Sequence, residues 1–355
     1  MNEPSVEPQQ DVEAATPNEA ERQARRRRAE KFQILLFFAG MALLPLVVTN
    51  SYYIHVFTFI GLNLIVATGL NLLMGYAGQV SLGHAAFYGM GAYASGILTA
   101  KYGWNAWPAM GGALLLTSAV AWVIGKPTLR LKGHYLAMAT LGVGIIATVV
   151  MRQWVSMTGG PAGMQTPGIT FFGRELESHM DVHYFYFVWV CVSILMILFA
   201  NLVASRPGRA LRALHDSELA AQVLGIDTSA FKVRAFVISA AYASIAGSLY
   251  AHSSMRFLSP TPFDFHTSIA LLVMVVLGGQ GTLWGPVLGA VTVTFIQEAL
   301  RPWAQYDIVV YGLLLMVLMI FMPGGLSRGL STLWTWTVRV ARRIRGRGRG
   351  GDDSE

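Results

Sequence analysis

The sequence predicts an all-α polytopic integral membrane protein with about ten transmembrane or partly crossing helices and both termini cytoplasmic. Three observations carry this expectation. Hydrophobic residues make up 54 % of the chain and charged residues only 13 %, with a mean hydropathy of +0.49, whereas soluble domains carry about 25 % charge. Apolar runs near the length of about 20 residues that a helix needs to cross hydrocarbon recur along the chain. The basic residues cluster in the two tails and in two of the gaps between those runs, all on one side of the membrane in this count, as the positive-inside rule expects.

In order, the runs are 33–49, 52–75, 79–100, 106–124, 133–151, 184–203, 234–251, 267–280, 284–300 and 307–323. The first is preceded by a polar tail, 1–32, that ends in Arg25-Arg26-Arg27-Arg28 and is expected to be disordered, basic and cytoplasmic. No apolar segment followed by small residues stands at its start, so no cleaved signal is expected. The other basic segments hold Lys126, Arg130 and Lys132; then Arg206, Arg209, Arg212, Lys232 and Arg234; then the C-terminal tail. Together the four hold 21 of the 26 Lys and Arg, leaving Lys101, Arg152, Arg174, Arg256 and Arg301 outside. The count implies an even number of crossings, and a re-entrant segment at 79–100 or 284–300 would shift it locally.

The transmembrane domain therefore covers 33–325, with an external loop at 152–183 and a cytoplasmic loop at 204–232. Trp104 and Trp107 stand where an interfacial aromatic belt belongs. The external loop, with Thr158-Gly159-Gly160-Pro161-Ala162-Gly163, reads either as a solvated connector or as a surface that meets a partner. The last segment, 326–355, is an interfacial stretch with Trp334 and Trp336, then a basic tail with Arg342, Arg343, Arg345, Arg347 and Arg349. Flanking a span and lacking a recognition module, this charge is expected to meet membrane lipid, not nucleic acid.

The functional clue is a conflict inside residues 61–100, a stretch apolar enough to enter a bilayer. Gly75-Tyr76-Ala77-Gly78-Gln79-Val80-Ser81-Leu82-Gly83-His84 interrupts it with glycines and polar side chains. A span can loosen only where protein or a water-filled cavity takes over its hydrogen bonds, and transporter paths are commonly built from such breaks. Asn71, Gly78, Gln79, Ser81, Gly83 and His84 are thus candidate path residues. The competing reading is close helix packing, since Ala85/Gly89 and Ala92/Gly96 have small-xxx-small spacing. Gly279-Gln280-Gly281-Thr282-Leu283-Trp284-Gly285 repeats the form of the break between two later runs and adds Gly279, Gln280 and Thr282. That echo would make the repeat parallel, although Gly285 and Gly289 also form a packing pair.

A second clue lies in the 204–232 loop. Asp216 or Ser217 can cap a helix, Glu218 suits its positive end and Gly225 can close it. Leu219, Val223 and Leu224 give it an apolar side, and so short a helix must dock against something. No GxxxxGK(S/T) occurs, so ATP is not expected to bind this chain. Gly325-Leu326-Ser327-Arg328-Gly329 has GxSxG spacing but follows a span end instead of a strand, and reads as a helix stop. The single Cys191 excludes a disulfide framework, and the histidines lack metal-ligand spacing. No catalytic residues, metal or cofactor are expected. A proton-coupled secondary transporter, the remoter alternative, would need a mid-span carboxylate. Glu298 lies near a span end beside Arg301, so His84 would have to carry the proton.

GLNLLMGYAGQVSLGHAAFYGMGAYASG (69–96), LKGHYLAMATLGVG (131–144), VVLGGQGTLWGPVLGA (275–290) and FMPGGLSRG (321–329) together resemble the permeases of branched-chain amino acid ABC importers, LivM-type. Glu218, Ala220, Ala221 and Gly225 resemble the EAA loop by which such permeases dock into a cleft on their ATPase. The resemblance implies an importer in the bacterial inner membrane. Its other parts would be a second permease, two ATP-binding cassette subunits that use the ATP, and a periplasmic solute-binding protein. Its solute would be a branched-chain or other apolar amino acid, or, as in close relatives, urea, a short amide or an aromatic acid.

Overall fold

The computed structural model describes residues 32–33, 36–46, 48, 50–171, 174–175, 181–253, 255–301, 306, 309–310, 312–313, 316–317 and 325–327. The expected tails and most of the 307–323 run lie outside the described residues. The described residues are helical almost throughout. Helix α1 is Ser51–Asn71 and continues through a π-helical turn, Leu72–Tyr76. Then come α2 (His84–Ala100), α3 (Ala106–Thr128), α4 (His134–Gln153) and α5 (Asp181–Ala204). The short α6 (Arg206–Asp216) and α7 (Glu218–Val223) precede α8 (Thr228–Ala251), α9 (Phe265–Gly278) and α10 (Gly285–Leu300). Leu36–Leu46 is a further apolar helix.

Among the described residues, five helices are long and apolar enough to cross a membrane: Ser51–Tyr76, α3, α4, Val182–Ala204 and α8. α1 is apolar on all sides, the pattern of a helix enclosed by others, and α5, α8, α9 and α10 pack around it. By contrast α3 and α4 expose Leu115, Leu116, Trp122, Ile145 and Ile146, the expected property of lipid-facing helices.

Several expected boundaries move. The 79–100 run becomes helical only at His84, because a Cβ on Gly83 would meet the Thr140 carbonyl oxygen at 1.9 Å and the backbone ahead of it is occupied in packing. The 267–280 run gives only the 14 residues of α9, about 21 Å of helix, short of a hydrocarbon core of about 30 Å. α5 and α8 start earlier than expected, at Asp181 and Thr228, because Asp227 caps α8 by accepting from the Ala230 amide. The 204–232 loop therefore gives up its last residues to α8.

The helices run in definable directions. Asn63 meets Thr294 and Asn71 meets Thr282, so α1 and α10 are antiparallel. His84 meets Ser239 and Ser95 meets His252, so α2 and α8 are parallel. α1 and α2 run antiparallel but pack on α8 from different sides, whereas α9 and α10 form a hairpin; both breaks lie at the same end. Residues 164–167 of the 152–183 loop are tied down: Met164–Gln165 pairs antiparallel with Phe257–Leu258, and the buried His252 contacts Pro167 O at 2.9 Å and Ser95 Oγ at 2.8 Å.

Small residues set the closest approaches. Gly285 and Gly289 do pack α10 on α9, where a Cβ on Gly289 would lie 1.7 Å from the Met274 carbonyl oxygen. α2 meets α8 through Gly91, Ala92 and Gly247, where a Cβ on Gly247 would lie 2.0 Å from the Tyr88 carbonyl oxygen, while Gly89 packs against Met151 and Phe263 and Gly96 against Thr166 and Leu258. Gly247→Leu is expected to cost about 3 kcal/mol, read as a lowered thermal midpoint of the purified protein. Gly111→Leu, at a position with nothing within 4 Å, should leave that midpoint unchanged.

Candidate functional site

The two breaks lie against each other. Asn71, fully buried in the last turn of α1, accepts through Oδ1 from the Gly281 amide at 2.9 Å and donates through Nδ2 to the Thr282 carbonyl at 2.9 Å. One side-chain amide thus satisfies two backbone groups of the second break. The approach is tight, since a Cβ on Gly75 would come 2.2 Å from the Gly281 nitrogen. Thr282 Oγ1 donates to the Gly279 carbonyl at 2.8 Å and accepts from the Gly285 amide at 3.0 Å, closing the turn between α9 and α10. Ser327 of the GxSxG stretch rests 3.2 Å from Thr282 Oγ1, and Gly325 backs onto Gly279, so that stretch buttresses the second break.

In this conformation most candidate path residues are packed. Gly78 and Gln280 are exposed and Gln79 is half-buried, whereas Ser81, Gly83, His84 and Gly279 are buried. Gln79 Nε2 donates to the Ala77 carbonyl at 3.0 Å. Ser239 Oγ donates to the Gly69 carbonyl at 2.6 Å, which leaves it to accept from His84 Nε2 at 3.1 Å. His84 is then the Nε2–H tautomer, and its Nδ1 and the Ser81 hydroxyl have no hydrogen-bond partner among the described residues.

The loop sits directly beneath the first break. Ser217 caps α7, accepting from the Ala220 amide at 3.2 Å. Gly225, at φ +78°, ends it in a Schellman motif: the Ile226 amide donates to Ala221 O and the Gly225 amide to Gln222 O. Glu218 Oε1 accepts from Lys232 Nζ at 2.8 Å, and its Oε2 lies 3.8 Å from Lys132. Ala221 is buried, so Glu218 and Ala221 face inward and fasten α7 to α8 and to the α3–α4 turn. Ala220 and Gly225 are exposed, and beyond them Leu219, Val223 and Leu224 stand 73 %, 82 % and 76 % exposed. A Cβ on Gly78 would lie 3.1 Å from His215 Nδ1, so the end of α6 touches the first break. A cavity of about 270 Å³ lined by Gly78, Gln79, Lys132, His215, Glu218 and Lys232 lies between the two.

Sequence reasoning selected Glu218 but not its partner. Lys232 was counted only as a basic loop residue, yet it is nearly buried, and the fourteen-residue separation from Glu218 gives no local pattern. Asn63 and Thr294, bonded at 3.1 Å near the middle of α1, were also missed, because a lone amide in an apolar run carries no periodic signal.

The Lys232 hydrogen bond holds the Glu218 carboxyl below its usual range. A carboxylate lowered in this way stabilises the anchored loop above the ordinary Glu value of about 4.3. That contribution is lost as pH falls through the lowered value. Glu218→Gln is expected to speed amide exchange over 217–225 several-fold at neutral pH. The same protection should fade in the wild-type protein on acidification below about pH 4.

The family described as branched-chain amino acid transport system / permease component matches residues 52–323. The chain is 35 % identical over 285 residues to the high-affinity branched-chain amino acid transport system permease protein LivM of Salmonella typhimurium strain LT2, covering 74 % of this chain and 67 % of that protein. LivM of Escherichia coli K12 gives the same identity and coverage. The LivH permease protein of Escherichia coli K12 is 27 % identical over 283 residues, covering 91 % of its length. No solved structure matches significantly.

Proposed function

Since the chain belongs to the branched-chain amino acid transport permease family, we propose that it is a permease subunit of an ABC importer and forms a membrane path for branched-chain or other apolar amino acids. Its home is the bacterial inner membrane, with both termini and the 206–225 segment in the cytoplasm. A second permease completes the path, two ATP-binding cassette subunits hydrolyse the ATP, one of them docked on α7, and a periplasmic solute-binding protein delivers the solute.

The observation that carries this reading is the orientation of α7. It is locked inward by Glu218 and Ala221 while Leu219, Val223 and Leu224 face out. Three large apolar side chains on an exposed six-residue helix and its C-cap are an association surface, because such a helix is marginal alone and its outer face gains nothing from water.

The mechanism follows from the contacts. Closure of the ATPase pair pushes on α7, and the rigid α6–α7 unit passes the push through His215 to the first break and through Lys232 to α8. The Asn71 amide joins the two breaks, so α1 and the α9–α10 hairpin move together and the path opens to alternate faces. The candidate path side chains are uncharged, which suits a solute without net charge. A proton-coupled carrier is disfavoured: no Asp or Glu lies in mid-span among the described residues, and Glu298 is held at the far end of α10 by Arg301 at 3.1 Å and by the Tyr52 hydroxyl.

The test is co-purification of the tagged chain from its native membrane. Two ATPase subunits and a second permease are expected with it. A chain that comes alone, and moves amino acid down a proton gradient in proteoliposomes, would overturn the reading. Leu219→Asp with Val223→Asp should weaken ATPase association at least about tenfold, about 1.4 kcal/mol, with membrane insertion intact.

A further inference from the structure

A separate cavity of about 750 Å³ opens at the end of the bundle that carries α6 and α7, away from both breaks. It lies between the last turns of α3, the α5–α6 junction and the first turns of α8. Trp122, Leu129, Leu202, Leu211, Phe231 and Ile238 give it apolar walls, and Lys126, Arg130 and Arg234 supply its charge. No acidic side chain lines it.

How these cations are held is informative. Lys126 Nζ sits 3.6 Å from the centroid of the Trp122 ring, and the Arg234 guanidinium lies 5.3 Å from that of Phe231. None of the three has a carboxylate partner among the described residues. Their neighbours at the same end are already engaged: Lys232 and Lys132 by Glu218, and Arg212 by the Val203 carbonyl at 2.8 Å. The uncompensated positive charge is therefore gathered at the mouth of a cleft whose walls are apolar. Aromatic faces hold a cation more weakly than a charge-assisted hydrogen bond to phosphate does, so an arriving anion improves the environment of all three.

A soluble phosphate would use the cations and leave the walls in water. An uncharged acyl chain would use the walls and leave the cations unpaired. An amphiphile with a phosphate head satisfies both, and basic pockets between membrane helices are the usual form of such recognition. We propose that this groove binds an anionic phospholipid, its phosphate among Lys126, Arg130 and Arg234 and an acyl chain along the Trp122–Leu202–Ile238 wall. Pro207 and Leu211 belong to α6 and Ser229–Arg234 to α8, so the bound lipid braces the two helices that flank α7 against α3. The binding claim stands apart from the importer reading; only its effect on turnover rests on that reading.

The experiment purifies wild-type protein, with whatever subunits accompany it, and the variant Lys126→Gln/Arg130→Gln/Arg234→Gln. Lipid retained after delipidation is identified by mass spectrometry, and rebinding is titrated with phosphatidylglycerol in phosphatidylcholine nanodiscs. Wild-type protein is expected to retain an anionic phospholipid, and the variant to bind it at least about tenfold more weakly, about 1.4 kcal/mol. Val237→Trp, which fills the cleft without touching the charge, should weaken retention likewise, and it serves alone if the triple variant fails to fold. Equal retention by wild type and either variant would overturn the proposal. So would recovery of only zwitterionic lipid or a bound polypeptide, or competition by inorganic phosphate as effective as that by the lipid. In the reconstituted importer, phosphatidylglycerol should raise ATPase turnover in wild type but not in the variants; failure of that arm alone, with binding intact, counts against the importer reading and not against the site.

Discussion

Asn71 solves the problem that the rest of the architecture creates. A backbone that leaves its helix inside a membrane must find partners for every freed N–H and C=O, each worth several kcal/mol if orphaned. The second break exposes the Gly281 amide and the Thr282 carbonyl, and the Asn71 side chain takes both at 2.9 Å. Because Asn71 ends the regular part of α1, just before its π-helical turn, the bond ties the central helix of the bundle to the hairpin of α9 and α10. No apolar residue could do this, and a longer amide would not fit where Gly75 and Gly281 nearly touch.

From that clamp the order of dependence runs outward. The first break is fixed on one side by Gly83 against Thr140 and on the other by Gly78 against His215. His215 belongs to the element that Glu218 and Lys232 fasten to α8. The buried ammonium of Lys232 is tolerable only because Glu218 meets it, since a lone buried charge is strongly unfavourable. The same pair turns α7 so that its apolar residues face away from the bundle. A short helix whose polar residue points inward and whose apolar residues point outward is unstable as an isolated design. It becomes intelligible once a partner surface covers it.

Much of this was legible in the sequence, and the limits have physical causes. Composition and the spacing of basic residues gave an all-helical membrane protein. Short-range chemistry gave the capped helix at Ser217 and its stop at Gly225, because caps are read within four residues. The two breaks were visible as Gly-Gln echoes, but the bond between them joins residues about 210 positions apart, and no local rule encodes it. The start of α2 at His84 was missed for the same reason: the apolar run continues through Val80 and Leu82, and only the contact with Thr140 shows that the backbone there is irregular. Likewise the small-residue rule finds packing positions on α2, but spacing does not say which neighbour each faces: Gly89 lies against Met151 and Phe263, Gly91 against Ser244.

In the proposed importer the α6–α7 unit and the first break move as one body through the ATP cycle. With Cys191 replaced by Ala, spin labels at Arg209 on α6 and Val80, and in a second sample at Arg209 and Trp104, allow distances to be measured by pulsed electron resonance in the assembled complex with and without ATP. The Arg209–Val80 distance is expected to stay constant on ATP binding while the Arg209–Trp104 distance changes. An Arg209–Val80 distance that shifts as much as the other would show that the loop moves independently of the break, and would contradict this coupling.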